Sequence, residues 1–119
     1  MGYELRLYAG ELSDLSNDQG ERYMDCILSV DLCKPGHKSN VAAIDGEPIG
    51  IKVYFYYNEK INSDSYEEDV KAYPLAVVIK ALEADASTEN YRRFPLALAT
   101  LKALDNEQFS NVYVAFVGH

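Results

Sequence analysis

Residues 22–33 read RYMDCILSVDLC, a run in which apolar and polar side chains alternate. The apolar positions predicted to share one face are Met24, Cys26, Leu28, Val30 and Leu32. The other face mostly carries Tyr23, Asp25, Ser29 and Asp31. A period of two is typical of a β-strand with one buried face, so this run predicts a strand whose apolar side chains point into the core.

Strands are also predicted at both ends of the chain. Residues 3–8 alternate in the same way, with Leu5 and Leu7 on the buried face. The polar, turn-rich residues 10–21 predict a connecting loop with room for one helical turn. Residues 112–117 are apolar on both faces, which predicts a strand in the centre of the sheet.

A β-hairpin is predicted after the turn at residues 34–37. Residues 40–44 predict its first strand, and Asp45-Gly46 is a strong signal for a two-residue turn. The return strand is predicted over residues 48–57.

Helical spacing follows this hairpin. Ser65 and Glu68 have the spacing of a capping box, which predicts a helix start there, and Pro74 within the pattern predicts a kink or two short helices. The apolar stripes of this helix are Val70, Tyr73, Val77 and Ala81, and beside them Leu75, Ile79 and Leu82. A second helix is predicted over residues 88–104.

These elements predict one α+β domain, residues 1–119, with a mainly antiparallel sheet of about five strands and two helical segments packed on one face. A chain of 119 residues can bury a core without disulfides or metal. The expected core includes Leu5, Leu7, Leu28, Val30, Ile51, Val53, Phe55, Leu98, Leu101, Val114 and Phe116.

The chain is acidic, with 19 acidic and 11 basic side chains and a formal net charge of −8. This charge disfavours direct binding to nucleic acid or to anionic membranes, and it favours basic protein surfaces. Solubility alone is the alternative explanation. With no secretory leader and no long apolar run in the sequence, we expect a cytoplasmic protein.

Residues 52–59 read KVYFYYNE and predict a partner-binding face. The alternation places Val53 and Phe55 against the helices and leaves Tyr54 and Tyr56 on the second face. Tyr8 and Tyr113 are expected to join that second face. Tyrosine is enriched at protein interfaces, although a covering loop or cross-strand aromatic pairs would also explain such a face.

An acidic segment follows the tyrosines. Its predicted partner-binding residues are Glu59, Asp64, Glu67, Glu68 and Asp69. The acids would speed association with a basic surface. The favourable interaction of acids with a helix N-terminus is the alternative explanation.

The sequence contains no Walker loop, dinucleotide-binding glycine motif, nucleophile elbow or HExxH motif. His37 and His119 are isolated, and the alternation gives Cys26 and Cys33 opposite faces. We therefore predict no catalytic residues, no cofactor and no metal site.

Several stretches resemble small uncharacterised proteins encoded in tailed-phage genomes, among them GYELRLY, DLCKPG, IKALEAD, YRRFPLALATLKAL and VYVAFVGH. The resemblance implies an inhibitor or modulator that acts in the host cytoplasm. Its partner would be a host or defence protein, such as a CRISPR effector or another nucleic-acid-handling protein. Two alternatives stay open: a small-molecule-binding protein or small enzyme with a pocket between sheet and helices, and a structural subunit that self-associates as a homodimer.

Overall fold

The computed structural model describes residues 5–33, 50–63, 69–86, 93–109 and 111–118. The strands are β1 Leu5–Ser16, β2 Arg22–Cys33, β3 Ile51–Tyr57, β4 Glu59–Ile61, β5 Lys71–Pro74 and β6 Val112–Gly118. The helices are α1 Leu75–Ala86 and α2 Arg93–Leu104. The predicted strand at 40–44 and the Asp45-Gly46 turn lie outside the described residues.

The strands form a closed five-stranded barrel with the order β2-β1-β6-β5-β3. Neighbours along this order are antiparallel, and a parallel pairing of β2 with β3 closes the ring. The short β4 pairs with β3 as a hairpin. The α+β class is confirmed. A closed ring has no central strand, but β6 pairs with β1 and β5 and has apolar side chains on both faces, as predicted. The open sheet is wrong, because closure gives the edges of β2 and β3 partners for their backbone groups.

A β-bulge in β2 changes which side chains share a face. Cys26 pairs with Gly10 and Leu28 pairs with Ala9, so Ile27 is the extra residue between the two pairs. An extra residue reverses the alternation beyond it and bends the strand.

The predicted single apolar face of β2 is therefore wrong. Met24 and Cys26 belong to the barrel interior, whereas Leu28 and Val30 pack on the outer side, beneath the helices.

Two apolar cores lie on opposite sides of the barrel wall. The barrel interior contains Tyr8, Leu12, Met24, Val53, Phe55, Val70, Ala72, Ala115 and Val117. The core beneath the helices contains Leu7, Ala9, Tyr73, Leu75, Val78, Ile79, Leu82, Ala97, Leu101, Leu104, Val112 and Val114. Five predicted core residues are fully buried: Leu7, Val53, Phe55, Leu101 and Val114. The half-buried ones pack against one core or the other: Leu28, Val30, Ile51, Leu98 and Phe116.

Part of the segment predicted as the first helix is a strand. Residues 71–74 form β5, with Ala72 opposite both Ile51 and Ala115, and α1 starts at Leu75. Pro74 therefore lies between strand and helix and causes no kink. The predicted capping box of Ser65 and Glu68 lies outside the described residues. The predicted helix through Val70 and Tyr73 is wrong, because neighbouring strands supply the hydrogen-bond partners of this segment.

The helices pack together on the outer side of the barrel, where Lys102 Nζ lies 3.1 Å from a Glu83 carboxylate oxygen. In the part of the chain that the structure describes, no helix is long and apolar enough to cross a membrane.

The predicted loop at residues 10–21 is mostly strand, because β1 continues to Ser16. The actual turn is held by Asn17, whose side-chain oxygen accepts hydrogen bonds from the backbone N–H groups of Gln19 and Glu21. An asparagine that bonds to backbone two residues on is a typical turn former.

Candidate functional site

Three tyrosines lie side by side on the outer surface of the barrel; we call Tyr23, Tyr54 and Tyr56 the tyrosine cluster. The ring centroids of Tyr23 and Tyr54 are 5.5 Å apart, and those of Tyr23 and Tyr56 are 6.4 Å apart. Tyr54 and Tyr56 are 6.3 Å apart with their ring planes at 87°. These separations are typical of interacting aromatic rings.

The strands explain how the rings meet. Tyr54 and Tyr56 alternate along β3 with Val53 and Phe55, which fill the barrel interior. Tyr23 is the register partner of Tyr54 in the parallel pairing of β2 with β3. The prediction of outward-facing tyrosines at 54 and 56 is confirmed. Its placement of the opposite face against the helices is wrong, because that face lines the barrel.

Tyr23 was missed as a site residue. Its position opposite Met24 in the alternation of β2 indicates an outward side chain, but the sequence does not reveal that β2 lies beside β3. The pairing joins residues 22–23 to residues 53–54, some thirty positions along the chain. Only the closed barrel brings Tyr23 to the other two rings.

The cluster keeps substantial exposed surface. Tyr56 is 58% exposed and Tyr23 is 36% exposed, while Tyr54 is half-buried. None of the three belongs to the apolar core beneath the helices. The rings therefore lie on a stretch of barrel wall beside the helix-covered region, where a partner can reach them.

A cation already lies against the cluster. Lys60 of β4 is the register partner of Tyr56, and its Nζ lies 5.1 Å from the centroid of the Tyr54 ring. A lysine at this distance from a ring face gains a cation–π attraction. The rings of the cluster thus present a face that a positive charge can occupy.

Tyr8 does not lie on this surface, contrary to the prediction. It is 2% exposed in the barrel interior, with ring centroids 4.7 Å from Phe55 and 5.4 Å from Tyr57. Burial is the main cause that raises the pKa of the Tyr8 phenol, and Arg6 opposes it. Tyr113 also packs against the interior core. Closure of the barrel turns this side of β1 and β6 inward.

The structure describes two of the five predicted acidic residues, Glu59 and Asp69. Glu59 is exposed at the start of β4. Asp69 is exposed and lies 3.1 Å from Lys52 Nζ, so its charge is paired. Three of the predicted acids, Asp64, Glu67 and Glu68, lie outside the described residues.

Asp25, which was not among the predicted site residues, is close in sequence to Tyr23. Asp25 follows Tyr23 by two positions on β2, before the bulge, so both side chains point outward. Asp25 is exposed. Two positions along a strand span about 6.6 Å, so Asp25 can contact a group stacked on Tyr23.

Two other titratable groups, Glu21 and Cys26, are buried or half-buried. Glu21 is 7% exposed, and its carboxylate oxygens accept hydrogen bonds from the side-chain amides of Asn17 and Asn62 at 3.1 and 3.2 Å. Burial is the main cause that raises the pKa of the free Cys26 thiol, so this thiol stays protonated near neutral pH. Within the described ranges, no group of three or more His, Cys, Asp or Glu could hold a metal ion.

Fold and site together define an acidic α+β barrel protein with an exposed aromatic face. Comparison with protein-family models found no matching family, and comparisons with curated proteins and with solved structures found no significant match.

Proposed function

We propose that this protein is a non-catalytic interaction protein that binds a partner with a basic surface through the tyrosine cluster. The observation that carries the proposal is the group of three adjacent tyrosine rings on the barrel wall, of which Tyr23 and Tyr56 are exposed. Tyrosine supplies a large apolar ring and a polar hydroxyl at low entropic cost, and it is enriched among the residues that dominate interface energies.

The charge of the chain supports a basic partner. A formal charge of −8 attracts positive surfaces over distances of about one Debye length, roughly 8–10 Å at physiological salt. Exposed carboxylates at Asp25 and Glu59 contribute to this field on the strands that carry the cluster or pair with it. Long-range attraction of this kind raises the association rate, whereas buried aromatic contacts slow dissociation.

The resemblance to tailed-phage proteins supplies the proposed setting. A small acidic protein of that origin would act in the host cytoplasm by occupying a basic groove of a host or defence protein. CRISPR effectors and other nucleic-acid-handling proteins carry such grooves, because they bind phosphate backbones.

Affinity capture from a host lysate, followed by binding kinetics with each purified captured protein, tests the proposal. We expect the Tyr23→Ala, Tyr56→Ala double variant to raise the off-rate, with about 1–3 kcal/mol of binding free energy lost. Leu96→Ala is the matched control, since Leu96 is 60% exposed but lies on α2, away from the cluster. Every variant must melt cooperatively, so that loss of binding is not loss of folding.

Three results would contradict the proposal. The first is a captured protein whose affinity changes no more for the double variant than for Leu96→Ala, since its contact surface would lie elsewhere. The second is reproducible catalytic turnover that disappears when a single polar residue is replaced. The third is a stable dimer in sedimentation experiments that the double variant dissociates, because the cluster would then serve self-association.

A further inference from the structure

We propose that the tyrosine cluster binds an arginine side chain of the partner, so that the partner's contacting segment is arginine-rich. This inference rests on the proposed function and specifies its chemistry. An arginine guanidinium is planar, always charged and weakly hydrated, and it stacks on aromatic faces.

Lys60 shows that the cluster accepts a cation. Its ammonium group lies 5.1 Å from the Tyr54 ring centroid, within the distance at which cation–π attraction operates. Lys60 is itself exposed, so burial does not force its side chain into this position. The protein therefore already places a positive charge against one ring of the cluster.

The remaining ring surface suits a flat cation. Tyr56 has the largest exposed fraction of the three, and its plane stands at 87° to that of Tyr54. Lys60 takes up the Tyr54 ring, whereas Tyr23 and Tyr56 keep exposed surface. Aromatic rings attract a cation at their faces and not at their edges, so a guanidinium would stack on one of these two faces.

Asp25 provides the matching negative charge. It shares the outer face of β2 with Tyr23, about 6.6 Å away along the strand. A guanidinium stacked on Tyr23 can donate hydrogen bonds to this carboxylate, and bonds between two charged groups are the stronger kind. The positive charge of Lys52, on the same face of β3 as Tyr54, is paired with Asp69 and opposes this binding less than a free lysine would.

Lys60 places a positive charge near the Tyr23 and Tyr56 faces that the guanidinium would occupy, and two like charges repel each other. Removing its charge should therefore strengthen binding of an arginine side chain, whereas ordinary loss of a contact residue weakens binding. This opposite sign separates a cation site from a general apolar patch.

The test uses three synthetic probes: a peptide of Arg-Gly-Gly repeats, the same peptide with citrulline for arginine, and the same peptide with lysine. Citrulline keeps the shape and removes the charge. Isothermal titration and NMR shifts of the tyrosine rings report binding by the full chain at low and physiological salt. We expect the arginine peptide to bind about 10-fold tighter than the citrulline peptide and tighter than the lysine peptide.

Five variants complete the test. Tyr56→Leu should weaken binding of the arginine peptide about 3- to 10-fold, and Tyr56→Phe should retain it because the ring remains. Lys60→Met should strengthen binding about 2- to 5-fold. Asp25→Asn should weaken it more than Asp105→Asn, which removes another exposed charge just beyond α2.

Equal binding of the arginine and citrulline peptides, or no binding of the arginine peptide at all, would overturn the inference. So would a Lys60→Met variant that binds less tightly, or equal effects of Asp25→Asn and Asp105→Asn. These outcomes leave the proposed function standing if a captured partner still depends on Tyr23 and Tyr56. Loss of that dependence would instead overturn the proposed function.

Discussion

Tyr23 and Tyr54 face each other at the seam where the barrel closes, as register partners with ring centroids 5.5 Å apart and planes at 47°. The seam is short, since the register pairs of β2 with β3 are this one and Arg22 with Val53. A few backbone contacts therefore close the ring, and the two tyrosine side chains cover them on the outer side. The same rings form the proposed contact surface.

We expect Tyr23 and Tyr54 to be coupled in stability. In a double-mutant cycle with alanine, the coupling energy should be about 0.5–1 kcal/mol, because cross-strand aromatic pairs stabilise a sheet by this amount. Urea unfolding of the parent, both single variants and the double variant provides the measurement. Additive single effects would show that the two rings do not stabilise each other across the seam.

Gly10 should not tolerate a side chain. A Cβ at this position would overlap the backbone carbonyl of Asp25, across the bulge in the facing strand. Gly10→Ala should cost about 1–3 kcal/mol in the free energy of unfolding, as overpacking of a closely fitted site does.

Gly20→Asn is the control for this variant. Gly20 has a φ of +77° but open space around its Cβ position, and asparagine tolerates that conformation. If Gly10→Ala unfolds at the same urea concentration as Gly20→Asn, the close approach at the bulge does not contribute to stability.

Phe55 should be among the most sensitive core positions. It is fully buried in the barrel interior and contacts Tyr8. Phe55→Ala should cost about 3–5 kcal/mol, since a large cavity would be left in a small closed barrel. Leu96→Ala, at a position 60% exposed on α2, should change stability by about 0.5 kcal/mol or less. Chemical denaturation measures both, and a cost below about 1 kcal/mol for Phe55→Ala would contradict a packed interior.

Glu21 should stabilise the β1–β2 turn through its two amide donors. In Glu21→Gln, one of the two oxygens that accept hydrogen bonds from Asn17 and Asn62 is replaced by an NH₂ group. This NH₂ group is a donor, so it cannot accept the hydrogen bond that the asparagine donates. The expected cost is about 1–3 kcal/mol, because a buried polar group loses its partner. Glu59→Gln, an exposed counterpart, should have almost no effect on the thermal midpoint. Equal midpoints for the two variants would show that the buried carboxylate is dispensable.

Tyr8 should make stability fall at alkaline pH. Because burial raises its pKa in the folded state, the unfolded chain releases the phenol proton first as pH rises. The contribution of the protonated Tyr8 phenol to the free energy of unfolding is therefore complete below the ordinary tyrosine pKa of about 10. It is lost as pH rises through the folded-state pKa.

Tyr8→Phe should reduce this alkaline loss in urea unfolding measured over a pH series. Burial also raises the pKa of the Cys26 thiol, so ionisation of this group also lowers stability at alkaline pH. That loss of stability begins nearer the ordinary thiol pKa of about 8.5. The comparison should therefore be made in a Cys26→Ala background. If Tyr8→Phe leaves the pH dependence unchanged, burial of the phenol does not contribute to it.

The amino-acid sequence by itself determined the strands and helices in segments whose apolar side chains follow only one period, either that of a strand or that of a helix. The alternation over residues 22–33, 51–57 and 112–117 identified three strands, and the spacing of Leu98, Leu101 and Leu104 identified the second helix. These signals are local, because a side chain's face follows directly from backbone geometry. They also identified Tyr54 and Tyr56 as neighbours on one face.

Tertiary structure decided the rest, since each remaining feature depends on a partner distant in the chain. Val70 and Tyr73 are spaced by three residues, as in a helix, yet this segment pairs with β3 and β6 because they offer backbone hydrogen bonds. The bulge at Ile27 exists only relative to Ala9 and Gly10 on β1. Closure of the barrel then turned Tyr8 inward and brought Tyr23 to Tyr54, because strand pairing fixes which faces surround a common interior.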